Sequence, residues 1–514
     1  MKLARNVVVV GAGAGGLAAA IAAAASGFDV TVIERGDTPG GKMRQLDVGG
    51  RLIDAGPTVL TMRWVFERLF RMAGADLAAS VPLRRAGVIA RHGWRDGSRL
   101  DLFPDIEESV RAIADFSDRA NADGYRRFAA DSAAIFSTLR PTYIDAQRPN
   151  PLTLMRRIGF TRVSEQMALR PLSLLWPVLG EYFTDPRLRQ LFARYATYSG
   201  SSPFLAPATL MLIAHVEQEG VWVPEGGMHG VARAMEALAV ELGVTFRYNT
   251  QVASIDSLTS GVTGLTLATG ERVPADRIVY NGDISALAAL TGGVDRSGVR
   301  PVARRKRSLS ALTFAVNART SGFPLSYHSV FFANDYSAEF DMLMQSREMP
   351  AVPTTYICAQ DRDAEGNLPA GVDRERMLFI LNAPADGDIK SFSSKETGQC
   401  LTQALTHLSA CGLTVDESEM DVTPTSPDRF HRLFPATGGA LYGPLSHGFR
   451  GAFRRPGSRT RIPGLYLAGG SAHPGPGVPM STLSGMLAAE SLAEDHASTH
   501  QSRPAAISGG MSMA

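Results

Sequence analysis

Apolar and polar positions along this chain repeat with two periods, and the switches between them mark its organisation. Val7–Val10 is a short β-branched run suited to a strand buried on both faces. An alanine-rich stretch follows as far as Ala25, a strong helix former, and Gly27 ends it. Val30–Ile33 reads as a second strand. From about Glu67 to Val216 the pattern is mostly helical with proline breaks. Trp222 and Val223 then form a strand end, Glu225–Gly230 a turn, and Val231–Leu242 shows apolar residues at helical spacing. Two short strands follow around Asn249–Thr250, then a hairpin and a buried strand that ends at Asn281–Asp283. Apolar strand-like runs recur between 291 and 427, among them 309–318, 329–333 and 376–384. Near the end, "GLYLAGGSAHPGPGVPMSTLSG" (464–485) opens as a buried strand, crosses a run of small and breaker residues, and closes as a helix start.

The glycines between the first strand and helix give this pattern chemical content. Gly11, Gly13 and Gly16 are spaced G-x-G-x-x-G. In that spacing the first makes the tight turn, the second lets backbone approach a pyrophosphate, and the third allows close helix–strand packing. The helix N-terminus offers free N–H groups and a positive dipole end to phosphate. Glu34 stands at the tip of the second strand, where an acid binds a ribose hydroxyl. It would repel a 2′-phosphate and so disfavours NADP, although the adjacent Arg35 weakens the point. A lone glycine motif is weak evidence, but here strand, glycines, helix, strand and acid follow in order.

Residues 38–60 bear on which dinucleotide is bound. A second glycine turn, Gly40–Gly41, comes soon after the acid, with Lys42 and Arg44 beside it. A further strand leads to another turn over Asp54–Thr58, which contains Gly56, Pro57 and Thr58. NAD domains go on into alternating βα units, whereas flavoproteins of the glutathione-reductase-like fold bring this region back over FAD. A plain hairpin with two turns is the alternative. No second G-x-G-x-x-G suited to NAD is present, which argues against a direct nicotinamide reductase.

Composition narrows the rest. A chain of 514 residues is too long for one simple core. Its 52 basic and 50 acidic residues leave a net charge of +2, with no global footprint for nucleic acid. The three cysteines have neither metal spacing nor an even disulfide framework, which fits a reducing compartment. Lys2 and Arg5 precede an apolar run to Phe28 that mimics a signal peptide or a span, but its glycine spacing argues for the dinucleotide motif. No other stretch reaches about 18 apolar residues, so an integral membrane protein is not expected.

These motifs, in this order, resemble the bacterial carotenoid (phytoene-type) desaturases. The resemblance rests on "VVVVGAGAGGLAAA", "GGKM", "DAGPT", "VPEGGMHGVARAM", "YNGD" and, most specifically, Gly464–Gly485, and it covers essentially the whole chain. "DAGPTVLTMRWVFERLF" is most similar to the 1-hydroxycarotenoid 3,4-desaturases. Lys42 departs from the arginine of many relatives, keeping the charge but losing the planar fork.

The resemblance implies an α/β fold: a Rossmann-like FAD-binding domain of the glutathione-reductase/amine-oxidase type, with a mixed sheet-plus-helix substrate domain. The chain would enter the FAD domain three times, at 1–72, 221–285 and 428–494. Residues 73–220 would form a mostly helical, membrane-facing region, 286–427 the substrate-domain sheet, and 495–514 a disordered tail. The sheet would line a long apolar tunnel, or else be an ordinary core sheet. FAD would be held noncovalently by Gly11, Gly13, Gly16, Glu34, Arg35, Gly41, Lys42, Gly56, Pro57, Thr58, Val252, Asp283, Gly470, Ser471 and Met480. The implied substrate is a lipophilic carotenoid, with no nucleic acid and no metal. The implied location is cytoplasmic, peripheral to the inner (photosynthetic) membrane, and the electron acceptor is open. Residues 151–183 mix basic with large apolar residues, as would a helix that dips into an anionic leaflet or one that packs on the core. The basic run Arg304–Arg307 reads as a solvated cluster.

Desaturation removes a hydride and a proton from neighbouring carbons, so a base is needed, best with a pKa near the operating pH. His473 is the one histidine in a cofactor-facing motif and is the candidate. The alternative is a histidine that bonds a backbone carbonyl and shapes its loop. Asp54, Glu225 and His229 are further candidates, although Asp54 also suits holding its own turn. Competing activities are a phytoene desaturase, a carotenoid isomerase or ketolase of the same fold, an amine-oxidase-type flavoenzyme, and a non-enzymatic flavin-binding protein.

Overall fold

A computed structural model describes residues 5–448 and 451–501. Lys2, in the apparent signal-like segment, and residues 502–514 of the expected tail lie outside the described residues. The tail expectation is corrected where it can be seen, because the closing helix, Val478–Gln501, continues through the first residues assigned to it.

Five parallel strands form the first sheet, in the order Leu465–Leu467, Arg277–Tyr280, Asn6–Val10, Asp29–Ile33, Thr245–Arg247. Chain segments far apart in sequence thus meet in one sheet. Val7, Val8 and Val9 are fully buried at its centre, as their β-branched run predicts. The helix Ala14–Ala25 follows the first strand and packs on the closing helix. The hairpin Gln45–Val48/Arg51–Asp54 also forms, so the hairpin and the return toward the cofactor region describe one segment.

The second large sheet has seven strands and is largely antiparallel. Its centre comprises Ser310–Ala318, His328–Phe331, Thr355–Ala359 and Glu375–Ala383. Its far edge comes from Ala90–Gly93 and Arg99–Leu102, inside a region whose pattern predicts mainly helix. Strand period settles the choice between tunnel wall and core sheet. Leu312, Phe314, Phe331, Ile357, Phe379 and Leu381 point to one face and pack with Cys400, Ala404 and Leu408 of the helix Ser394–Ala410. The alternate residues Ala311, Thr313, Val330, Tyr356, Ile380 and Asn382 line a cavity on the other face. The sheet is therefore both core and wall.

Residues 151–183 form three short helices, Pro151–Ile158, Val163–Ala168 and Leu175–Leu179, rather than one long helix. Gly159, at φ +104°, ends the first. Among the described residues, no helix is long and apolar enough to cross a membrane.

Candidate cofactor and substrate site

The first parallel strand ends at Gly11, and the chain turns there into the first helix. A Cβ on Gly16 would lie 1.9 Å from the Gly11 carbonyl oxygen, so only glycine lets the helix approach the strand this closely. The Gly40 N–H donates to the Ala12 carbonyl at 2.8 Å, which brings the second glycine turn onto the first. A Cβ on Gly56 would lie 1.7 Å from the Lys42 carbonyl oxygen, so the third turn closes on the second in the same way.

These turns border a cavity of about 890 Å³. Gly11, Gly13, Glu34, Arg35, Gly41, Lys42, Gly56, Pro57, Thr58, Val252, Asp283, Gly470, Ser471 and Met480 all line it. Gly16 alone of the predicted cofactor residues does not, because its place is the helix–strand contact. Glu34 accepts hydrogen bonds from the Ala12 N–H (2.7 Å) and the Gly36 N–H (2.7 Å). Asp283 caps the helix Ile284–Leu290 by accepting from the Ser285 N–H at 2.9 Å. The Ser471 hydroxyl accepts from the Ile284 N–H at 3.1 Å, which ties the last glycine loop to that cap.

Two cations, the half-buried Lys42 and the buried Arg455, give the site its electrostatic character. The Lys42 ammonium donates to the Leu441 carbonyl at 2.6 Å. Burial lowers its pKa, against a raising influence from Asp283. Arg455, which sequence reasoning missed, donates to the carbonyls of Gly470, Tyr442 and Pro444 at 2.7, 2.8 and 2.9 Å. Burial lowers its pKa to about 10. Both line the cavity, and among the described residues neither forms an ion pair. Cations shielded from water without a carboxylate at contact distance suit a site that takes an anionic group such as a pyrophosphate. The glycine cradle, the ribose-side acid and the two cations together fit FAD.

The candidate bases sit elsewhere. His473 is buried, its Nε2 lies 2.8 Å from the Ala146 carbonyl oxygen, and its ring packs edge-on against Tyr143. Burial pushes its pKa down to about 4. It does not line the cavity, so the structure corrects the catalytic assignment: this histidine holds a carbonyl and braces its loop. Asp54 accepts from the Met228 N–H at 2.5 Å, pinning the N-terminus of the helix Gly227–Glu241. The His229 Nδ1 lies 2.8 Å from the Met43 carbonyl oxygen, and Glu225 is exposed. None of the three lines the cavity.

A family description, flavin-containing amine oxidoreductase, matches residues 14–493. A protein named hydroxyneurosporene desaturase, from Rubrivivax gelatinosus, is 50% identical over 510 residues, covering 99% of this chain and 97% of its own. The chain belongs to the carotenoid-desaturase family of flavin-containing amine oxidoreductases. Another relative, a 1-hydroxycarotenoid 3,4-desaturase from Flavobacterium sp., is 28% identical over 507 residues and covers 96% of this chain and 100% of its own. The solved structure of a putrescine oxidase double mutant matches with TM-score 0.58 at 16% identity, over 96% of this chain and 99% of its own, a likeness of fold. As a family member the chain is a flavoprotein oxidoreductase.

Proposed function

We propose that this protein is an FAD-dependent carotenoid desaturase that introduces the C-3,4 double bond into a 1-hydroxylated carotenoid. The observation that carries this reading is the full-length identity to a hydroxyneurosporene desaturase. The 1-hydroxycarotenoid 3,4-desaturase supports the position of the bond. The site agrees, since a long apolar substrate needs an apolar wall next to the cofactor. Leu210, Leu212, Ile213, Val216, Val330 and Ile380 supply that wall in the same cavity.

When bound, the flavin supplies the hydride acceptor for a C–H bond that no carbonyl activates. The chain's own residues bind, orient and exclude water. Gly11, Gly13, Gly41 and Gly470 bring backbone against the cofactor, Glu34 takes the ribose side, and Lys42 and Arg455 hold the anionic part. Gly56, Pro57, Thr58, Val252, Asp283, Ser471, Met480 and Arg35 complete the cradle. The apolar wall aligns the polyene and keeps out water that would intercept a charge developing on it. In this reading 1–72, 221–285 and 428–494 form the cofactor domain, and 73–220 with 286–427 the substrate side.

The substrate would arrive from a membrane surface. Among the described residues fourteen large apolar side chains are exposed, and six of them (Leu152, Met155, Phe160, Met167, Leu172 and Leu174) fall within 151–183. Arg156, Arg157, Arg162 and Arg170 are interspersed with them. A β-bridge between Leu174 and Pro207 joins this patch to the cavity wall, since Pro207 lines the cavity. An apolar patch with a basic rim suits an anionic leaflet.

Expression in a host that supplies 1-hydroxyneurosporene or, separately, phytoene tests the reaction. The expected product is a hydroxycarotenoid two hydrogens lighter and red-shifted. Conversion of phytoene alone would discard the hydroxycarotenoid assignment.

A further inference from the structure

One polar cluster in the cavity wall lies outside the residues assigned above to the cofactor. Arg194 lines the cavity, yet only 6% of its surface is exposed. Its Nη1 donates to the Tyr198 hydroxyl at 3.2 Å. Tyr198 in turn donates to Glu217 Oε1, and Tyr195 donates to Glu217 Oε2 at 2.8 Å. Glu217 is 2% exposed, so one buried carboxylate balances one buried guanidinium through the tyrosines. The balance is incomplete, because Arg194 Nε and Nη2 are buried and have no hydrogen-bond partner. A guanidinium donates only, and it keeps its charge when buried. Buried donors left unpaired are costly, and the group that satisfies them must be an acceptor.

Two members of the cluster, Arg194 and Tyr198, line the same cavity as the third glycine turn. Tyr356, on the cavity wall, has its hydroxyl 2.7 Å from Thr58 Oγ1, in the third cofactor turn, and 2.6 Å from His328 Nδ1. Arg194, Tyr198, Tyr356 and Thr58 all line this one cavity. In a 1-hydroxycarotenoid the oxygen and the nearer carbon of the C-3,4 bond are three single bonds apart, roughly 4 Å. An oxygen-binding group must therefore stand beside the cofactor rather than at the far end of the cavity.

We propose that Arg194, held by Tyr198 and Glu217, is the specificity residue that donates to the end-group oxygen of the substrate and sets the C-3,4 bond against the cofactor. The assignment rests on the hydroxycarotenoid desaturase reading. It names the group in this site that separates a hydroxylated polyene from an unsubstituted one. A site built to bond a substrate oxygen discriminates strongly against the analogue that lacks it, because its own donors are then left unpaired.

The test compares kcat/KM for 1-hydroxyneurosporene and for 1,2-dihydroneurosporene, which has the same saturated end group without the hydroxyl, in flavin-loaded wild-type protein and in Arg194→Met. The wild type should favour the hydroxylated polyene, and Arg194→Met should cut that preference ratio at least tenfold. Tyr198→Phe, which removes the hydroxyl holding Nη1, should cut it by a smaller factor and keeps the test decisive if Arg194→Met fails to load flavin. A ratio unchanged in the flavin-loaded variants, with both rates reduced together, would make the cluster structural and overturn the assignment. Conversion of both polyenes by the wild type at equal efficiency would overturn it while leaving the desaturase reading in place. Conversion of neither would overturn both.

Discussion

At the residue scale, the largest revision concerns His473. Sequence singles it out because it is the one histidine in a small-residue loop, and nothing in a sequence tells which way its ring points. The structure turns it toward Ala146, with its pKa lowered by burial, and away from the cavity. His473→Ala should lower stability by about 2 kcal/mol, from a lost buried hydrogen bond and a cavity, and should weaken flavin retention. Thermal melts and flavin content check this. A stable, flavin-loaded variant that has lost turnover a hundredfold would restore the base role. The glycine turns were legible because backbone geometry dictates them. Arg455 was not, because it reaches the last glycine loop across a fold contact and belongs to no local motif.

At the scale of elements, the parallel βα unit was readable from periodicity, and so were the strand Leu465–Leu467 and the helix that follows. The Ala90–Gly93/Arg99–Leu102 hairpin was not, because these short strands lie among helices and show their purpose only on joining a distant sheet. The segment 151–183 carried its apolar and basic content openly, but its division into three helices depends on local turns such as that at Gly159. The exposed patch it forms yields a direct expectation. The protein should sediment with anionic vesicles and release at high salt, and Phe160→Asp with Leu172→Asp should abolish sedimentation while flavin content is kept. Equal sedimentation of the double variant would remove this segment from membrane docking.

At the scale of the whole molecule, several buried histidines make stability depend on pH. Burial lowers the pKa of His473 and His447 to about 4, and of His92 and His328 to about 3. The unfolded chain protonates each near 6.5, so it binds more protons than the fold, and stability is lost as pH falls from about 6.5 toward 4. Burial raises Glu339 to about 7 and also raises Asp54, which opposes the trend, but two such groups do not cancel four histidines. Denaturant unfolding should lose roughly 2–3 kcal/mol per pH unit around pH 5.5, and a flat profile would contradict these burials. The overall architecture was legible because three separate segments carried the marks of one cofactor site. The two-sided use of the second sheet was not, since alternating residues that are all apolar do not say which face stays open.

The central claim is that a flavin and a hydroxylated polyene meet in this one cavity and exchange two hydrogens. Anaerobic mixing of the oxidised, flavin-loaded protein with 1-hydroxyneurosporene tests it most directly, read by flavin absorbance and pigment mass together. The account predicts that the flavin band bleaches in step with a product two hydrogens lighter, one flavin per double bond. A flavin that stays oxidised beside an unaltered polyene would contradict it.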